Sequence, residues 1–124
     1  LVTDPALTAL ISGSLVCGRP GADYPEGASS PDRWQEEHIA GVGARGELFD
    51  YKRGLDTVDP RERMGRWSIS SNKVTHNYIG GNAYTWEVRL ISGNTYSFCV
   101  VSAEHVVAFI SPNGGSGCGG TFPP

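Results

Sequence analysis

The sequence predicts an all-β fold, an eight-stranded antiparallel up-and-down barrel with a short N-terminal helix. Three observations lead there. Beyond residue 13 the apolar residues alternate with period two, the spacing of a strand with one buried face. Seventeen glycines and eight prolines among 124 residues fall between the apolar runs without a fixed period, as turn residues do. The last five runs are separated only by Ser71-Asn72, Gly80-Gly81-Asn82, Ser92-Gly93-Asn94 and Ser102-Ala103-Glu104, so neighbours pair antiparallel. Eight strands in that order close into a barrel, which removes the exposed edges.

The elements follow in order. Asp4 suits a helix cap, Pro5 the first turn and Gly13 the stop, so residues 1–13 hold a short helix. Strands are expected at 14–18, 33–39, 47–53, 65–70, 73–79, 83–91, 95–101 and 105–111, and a Gly/Pro-rich tail at 112–124. All belong to one domain, 1–124. The connections 19–32 and 54–64 are the long ones, and Asp59-Pro60-Arg61-Glu62 in the second suggests one helical turn. Alternate connections of a meander share an end. Both long ones therefore flank an open mouth, opposite a floor closed by short turns.

Period two also sorts the faces. Tyr84, Trp86, Val88 and Leu90 are assigned inward, as are Trp67 and Ile69; Val74, His76 and Tyr78; Tyr96, Phe98 and Val100; and Phe49 and Tyr51. Strand 105–111 is apolar on both faces and is left unoriented. On strand 33–39, Trp34 shares its face with Glu36 and His38. If Trp34 points inward, a carboxylate and an imidazole enter with it, and they need each other, water or a polar cavity. The candidate ligand-binding residues are therefore Trp34, Glu36, His38, Tyr51, Trp67, His76, Tyr78 and Trp86. The indoles offer stacking, and Glu36, His38, His76 and Tyr51 offer polar anchors.

Composition narrows the function classes. Net charge is −3 with no basic block, which argues against nucleic-acid binding. The longest apolar stretches, such as Val106 to Ile110, are too short to span a bilayer. The chain opens at Leu1 without an initiator Met or a positive leader, as a mature or trimmed product would. Cys17, Cys99 and Cys118 form no C-x-x-C pair. A Cys99–Cys118 disulfide closes the shortest loop and points to an oxidising compartment, periplasmic or secreted.

The segments Trp34-Gln35-Glu36-Glu37-His38, Leu48-Phe49-Asp50-Tyr51-Lys52, Val58-Asp59-Pro60 and Gly65-Arg66-Trp67-Ser68, with Ser12-Gly13 leading to Cys17, carry a resemblance. The chain is similar to small exported proteobacterial lipocalin-like barrels of unassigned function. The resemblance implies export and a barrel of the lipocalin or avidin kind, but no reaction. Gly65-Arg66-Trp67 also resembles the Gly-x-Trp pair of lipocalins at large, displaced here from the first strand to the fourth.

The function expected is binding of a small hydrophobic or aromatic molecule in the lumen. One alternative is an acid–base enzyme of lyase or isomerase type with Glu36, His38 and His76 as its catalytic group. Another is a metal site on the same three residues, or a haem bound by His38 or His76 and walled by the aromatics. No Gly-x-Ser-x-Gly elbow supports a nucleophilic triad. Paired-carboxylate chemistry lacks a second acid, since Glu87 and Asp50 are assigned outward. Whether barrels pair as a homodimer is open in the sequence.

Overall fold

A computed structural model describes residues 1–24, 33–51, 62–111 and 123, with the backbone alone at 50 and 51. Helix α1 (Ala6–Ile11) precedes strands β1 (Leu15–Pro20), β2 (Trp34–His38), β3 (Arg45–Tyr51), β4 (Glu62–Ser70), β5 (Lys73–Tyr78), β6 (Ala83–Ser92), β7 (Thr95–Val100) and β8 (Ala103–Ser111). Each strand pairs antiparallel with the next, and β1 returns to β8 from Leu15–Ser111 to Pro20–Val106, closing the barrel. The architecture expected from the alternation is the one found. Ser71 and Asn72, with φ of 52° and 61°, make the tight β4–β5 turn. The helical turn expected at 59–62 lies outside the described residues except for Glu62, which opens β4. Of the tail, only Pro123 is described, and it is buried.

Helix α1 closes the end away from the long connections. Pro5 occupies the N-cap, one residue later than expected for the cap itself. Asp4 still acts on the first turn, because its Oδ1 accepts the Thr8 N–H at 3.0 Å and the Thr8 hydroxyl at 2.6 Å. Gly13 leaves the helix at φ 77°, a conformation that favours glycine. Three hydrogen bonds fix the helix to the floor: Val2 N–H to the Val88 carbonyl, Asp4 N–H to Asn72 Oδ1, and Gly13 N–H to the His38 carbonyl, all at 2.8 Å. Leu7 and Ile11 are thereby packed into the core with Leu48, Trp67, Val74, Val88 and Ile110.

The face assignments hold for Trp67, Ile69, Val74, His76, Trp86, Val88 and Phe98, all buried. Three need correction. On β3 it is Leu48, fully buried opposite His38, that enters the core, so β3 presents the face opposite to the one expected for Phe49. Leu90 is 55% exposed because β5 pairs with β6 only as far as Trp86 and leaves the rest of β6 beyond its end. Val100 is 43% exposed at the last pair of the β7–β8 hairpin, past a bulge at Phe98/Cys99. Strand β8 resolves with Val106, Ala108 and Ile110 in the core.

The cysteine pairing also differs from expectation. Cys99 is a free, buried thiol on β7, so it does not bond to Cys118. Cys17 on β1 is disulfide-bonded. Loop length alone does not decide which sulfurs can meet; their spatial separation and orientation do. Among the described residues no helix is long and apolar enough to cross a membrane.

Candidate functional site

Strand β2 descends the barrel wall in three inward steps. Trp34 is half-buried, Glu36 is 6% exposed and His38 is completely buried. This gradient separates a wet upper lumen from a dry lower one. The upper part is a cavity of about 380 Å³, within the range of small-molecule pockets. Its walls carry the rings of Tyr24, Trp34, Tyr78, Tyr84, Trp86 and Phe98. Glu36, His76, His105 and Asn82 are the polar groups among them. Most lining residues belong to the end that bears the two long connections, and Val16, near the floor end of β1, marks the lower limit. The cavity therefore sits at the mouth that the meander arithmetic places there.

A chain of hydrogen bonds crosses the lumen beneath it. The Tyr78 hydroxyl donates to Glu36 Oε2 at 2.6 Å. With that proton committed, the Tyr78 oxygen is left to accept, and His76 Nδ1 stands 3.1 Å away as donor. His76 Nε2 is then bare and faces His38 Nε2 at 2.9 Å, which must carry the proton between them. The network thus assigns one tautomer to each ring and a single direction to the chain, ending on the carboxylate. His38 Nδ1 and Ser14 Oγ are buried without a hydrogen-bond partner among the described residues.

Both imidazoles are held neutral. Burial pushes His38 down from 6.5 to about 3, against the opposing effect of the Glu36 and Ser14 backbones. Burial lowers His76 well below 6.5, and the neighbouring His38 lowers it further. The 3.9 Å approach of His76 Nδ1 to Glu36 Oε2 is accordingly not an ion pair. Neutral rings also suit their packing, since His76 meets the edge of Trp86 at 4.9 Å and 83°.

Of the residues expected to bind ligand, the structure brings Trp34, Glu36, His76, Tyr78 and Trp86 to the cavity. His38 supports His76 from below and does not line it. Trp67 lies lower still: β4 begins at Glu62 rather than 65, so Trp67 is deep in the strand, donating its indole N–H to the Ile39 carbonyl at 2.9 Å. The side chain of Tyr51 lies outside those described. Two further lining residues, Met64 in the expected connection 54–64 and His105 on the unoriented strand 105–111, both sit at β-bulges. The register skips Met64 between the pairs Leu48–Gly65 and Phe49–Arg63, and skips His105 between Phe98–Val106 and Cys99–Glu104. Each is the extra residue of a β-bulge, and a bulge re-aims a side chain. Tyr24 and Asn82 come from loops, where period two gives no signal.

The donor chemistry of the site is largely committed within the protein. Both nitrogens of His76 are used, and His105 Nδ1 accepts the Trp86 indole N–H at 3.1 Å. Among the described residues no three His, Cys, Asp or Glu side chains are grouped to hold a metal ion.

The buried neutral histidines make stability depend on pH in a definite direction. The folded pKa of each lies below its unfolded value, so the unfolded chain binds protons more readily below pH 6.5. Their contribution is whole above 6.5 and is lost as pH falls toward about 3. Urea unfolding between about pH 7 and about pH 4.5 should show a loss of up to about 1.4 kcal/mol per pH unit for each histidine. The variant His38→Leu should lack one proton equivalent of that slope; an unchanged slope contradicts the assignment.

No family model matches the chain, and no curated protein or solved structure matches it.

Proposed function

We propose that this barrel binds a small, flat, partly aromatic molecule, taken in through the mouth and held by a polar group against Glu36. One observation carries the reading: a 380 Å³ cavity walled by six aromatic rings has a buried carboxylate in its lining, while α1 and the lower core close the other end. Aromatic walls supply apolar contact with a preferred ring orientation, and a few placed polar groups fix the pose. The stacked pair Tyr84 and Trp86, 5.6 Å apart and 9° from parallel, offers a flat surface of the kind such a molecule needs. The disulfide at Cys17 favours an oxidising compartment. We therefore assign the protein to the periplasm or the extracellular space, as its similarity to small exported lipocalin-like barrels also implies.

Native mass spectrometry of gently purified protein should show a ligand adduct that organic solvent removes. Trp86→Ala and the milder Tyr84→Ala should each reduce the adduct at least about tenfold while far-UV circular dichroism stays that of the barrel. A bare protein mass from every source, or an adduct unaffected by either variant, contradicts the cavity reading.

The directional hydrogen-bond chain favours a second reading, in which the bound molecule is also changed. Glu36 as carboxylate would remove a proton from an acidic C–H, carry it as a carboxylic acid and return it, with Tyr78 orienting the carboxylate before the first transfer and after the second. Such an enzyme exchanges that proton with solvent. In heavy water the molecule identified by mass should take up one deuterium, and Tyr78→Phe should slow the uptake by about tenfold or more with binding retained. No uptake leaves the protein a carrier.

A further inference from the structure

Resting on the binding reading, we propose that the ligand carries a hydrogen-bond acceptor beside its ring, as an aryl ketone or aldehyde does, and that the Trp34 indole N–H recognises it.

The two indoles of the lining differ in one respect. Trp86 gives its N–H to His105 Nδ1 at 3.1 Å. The Trp34 N–H meets no acceptor among the described residues, and its ring contact with Tyr24, 5.7 Å away and tilted by 44°, leaves that donor unspent.

The backbone places this N–H inside the barrel. Trp34 stands directly opposite Gly18, and paired residues share a face. Val16, two residues before Gly18, lines the cavity, so the Gly18 position faces the lumen. Trp34 Nε1 and Cε2 both lie 3.1 Å from where a Cβ at Gly18 would stand. The nitrogen edge of the indole therefore rests on the inner face of β1. Glycine gives that edge its room, the use a strand makes of glycine where another group must come close.

The donor sets the chemistry of what it meets. An indole nitrogen donates and does not accept, so its partner must be an acceptor. A molecule lying against Trp34 without one would strip water from the N–H and leave it unpaired, at a cost in affinity. Sites of this kind reject the analogue that lacks the matching group. A carbonyl conjugated with a ring stays in the ring plane. It thereby keeps the molecule flat for the stacked pair Tyr84 and Trp86, which lie 9° from parallel.

Acetophenone and α-methylstyrene share a ring and a shape, and differ in C=O against C=CH2. Their affinities for the unsubstituted protein and for Trp34→Phe, measured by NMR titration, complete a cycle. The ketone-to-alkene ratio should be at least about fivefold higher in the unsubstituted protein. The cycle cancels the difference in hydrophobicity between the probes and the ring area lost with the indole. Binding of α-methylstyrene reports that the variant is folded. Independently of any variant, the Trp34 indole N–H resonance should move downfield with the ketone and hold its position with the alkene. A smaller change in ratio, or a resonance that responds alike to both probes, overturns the acceptor and leaves the aromatic cavity standing. If neither probe binds the unsubstituted protein, the proposal falls together with the aromatic-ligand reading.

Discussion

A carboxylate and two imidazoles inside a barrel are tolerable only when their polar atoms are paired or face a cavity, and this constraint organises the molecule. Glu36, Tyr78, His76 and His38 meet it with one continuous hydrogen-bond chain running from the cavity wall to the floor. Each link uses a donor and an acceptor that the next link requires, so removing one partner leaves another buried and unsatisfied. The chain also joins two separate parts of the wall, because Glu36 and His38 stand on β2 while His76 and Tyr78 stand on β5. The result is a boundary, with dry core below and cavity above.

The remaining structure serves that division. Below it, α1 closes the floor with Leu7 and Ile11, and Trp67 fills the centre with its indole N–H satisfied by the Ile39 carbonyl. Gly46 is what lets that indole in, since a Cβ there would stand 2.8 Å from the Trp67 nitrogen. Above the boundary two bulges alter the plain alternation, and each turns one more side chain, Met64 or His105, toward the cavity. His105 in turn orients the Trp86 indole. The mouth is thus shaped by irregularities, whereas the floor is shaped by regular packing.

This contrast explains what could be read from the sequence. Period-two alternation and turn chemistry are local properties, and they revealed the eight strands, the barrel and the end at which the mouth lies. The inward face of Trp34, Glu36 and His38 was legible because a Trp is a strong marker of the buried side. On β3 the marker misled: Phe49 and Leu48 are both apolar, and only the pairing of Leu48 with His38 decides between them. Met64 fell in the expected connection 54–64 and His105 on a strand apolar on both faces, and the bulges that turn them inward are properties of two strands together. The depth of Trp67 depended on where β4 begins. Long-range geometry, not composition, governs each of these.

The central claim is that the two histidines are neutral, each in one tautomer, and pass a directed chain of hydrogen bonds to Glu36. Long-range proton–nitrogen correlation spectra of the imidazoles test it most directly, since they distinguish the two neutral tautomers from each other and from the cation. The account predicts His38 protonated on Nε2 and His76 on Nδ1, both unchanged as pH is lowered through 6.5 to about 5. An imidazolium at either position near pH 6, or His76 carrying its proton on Nε2, would contradict it.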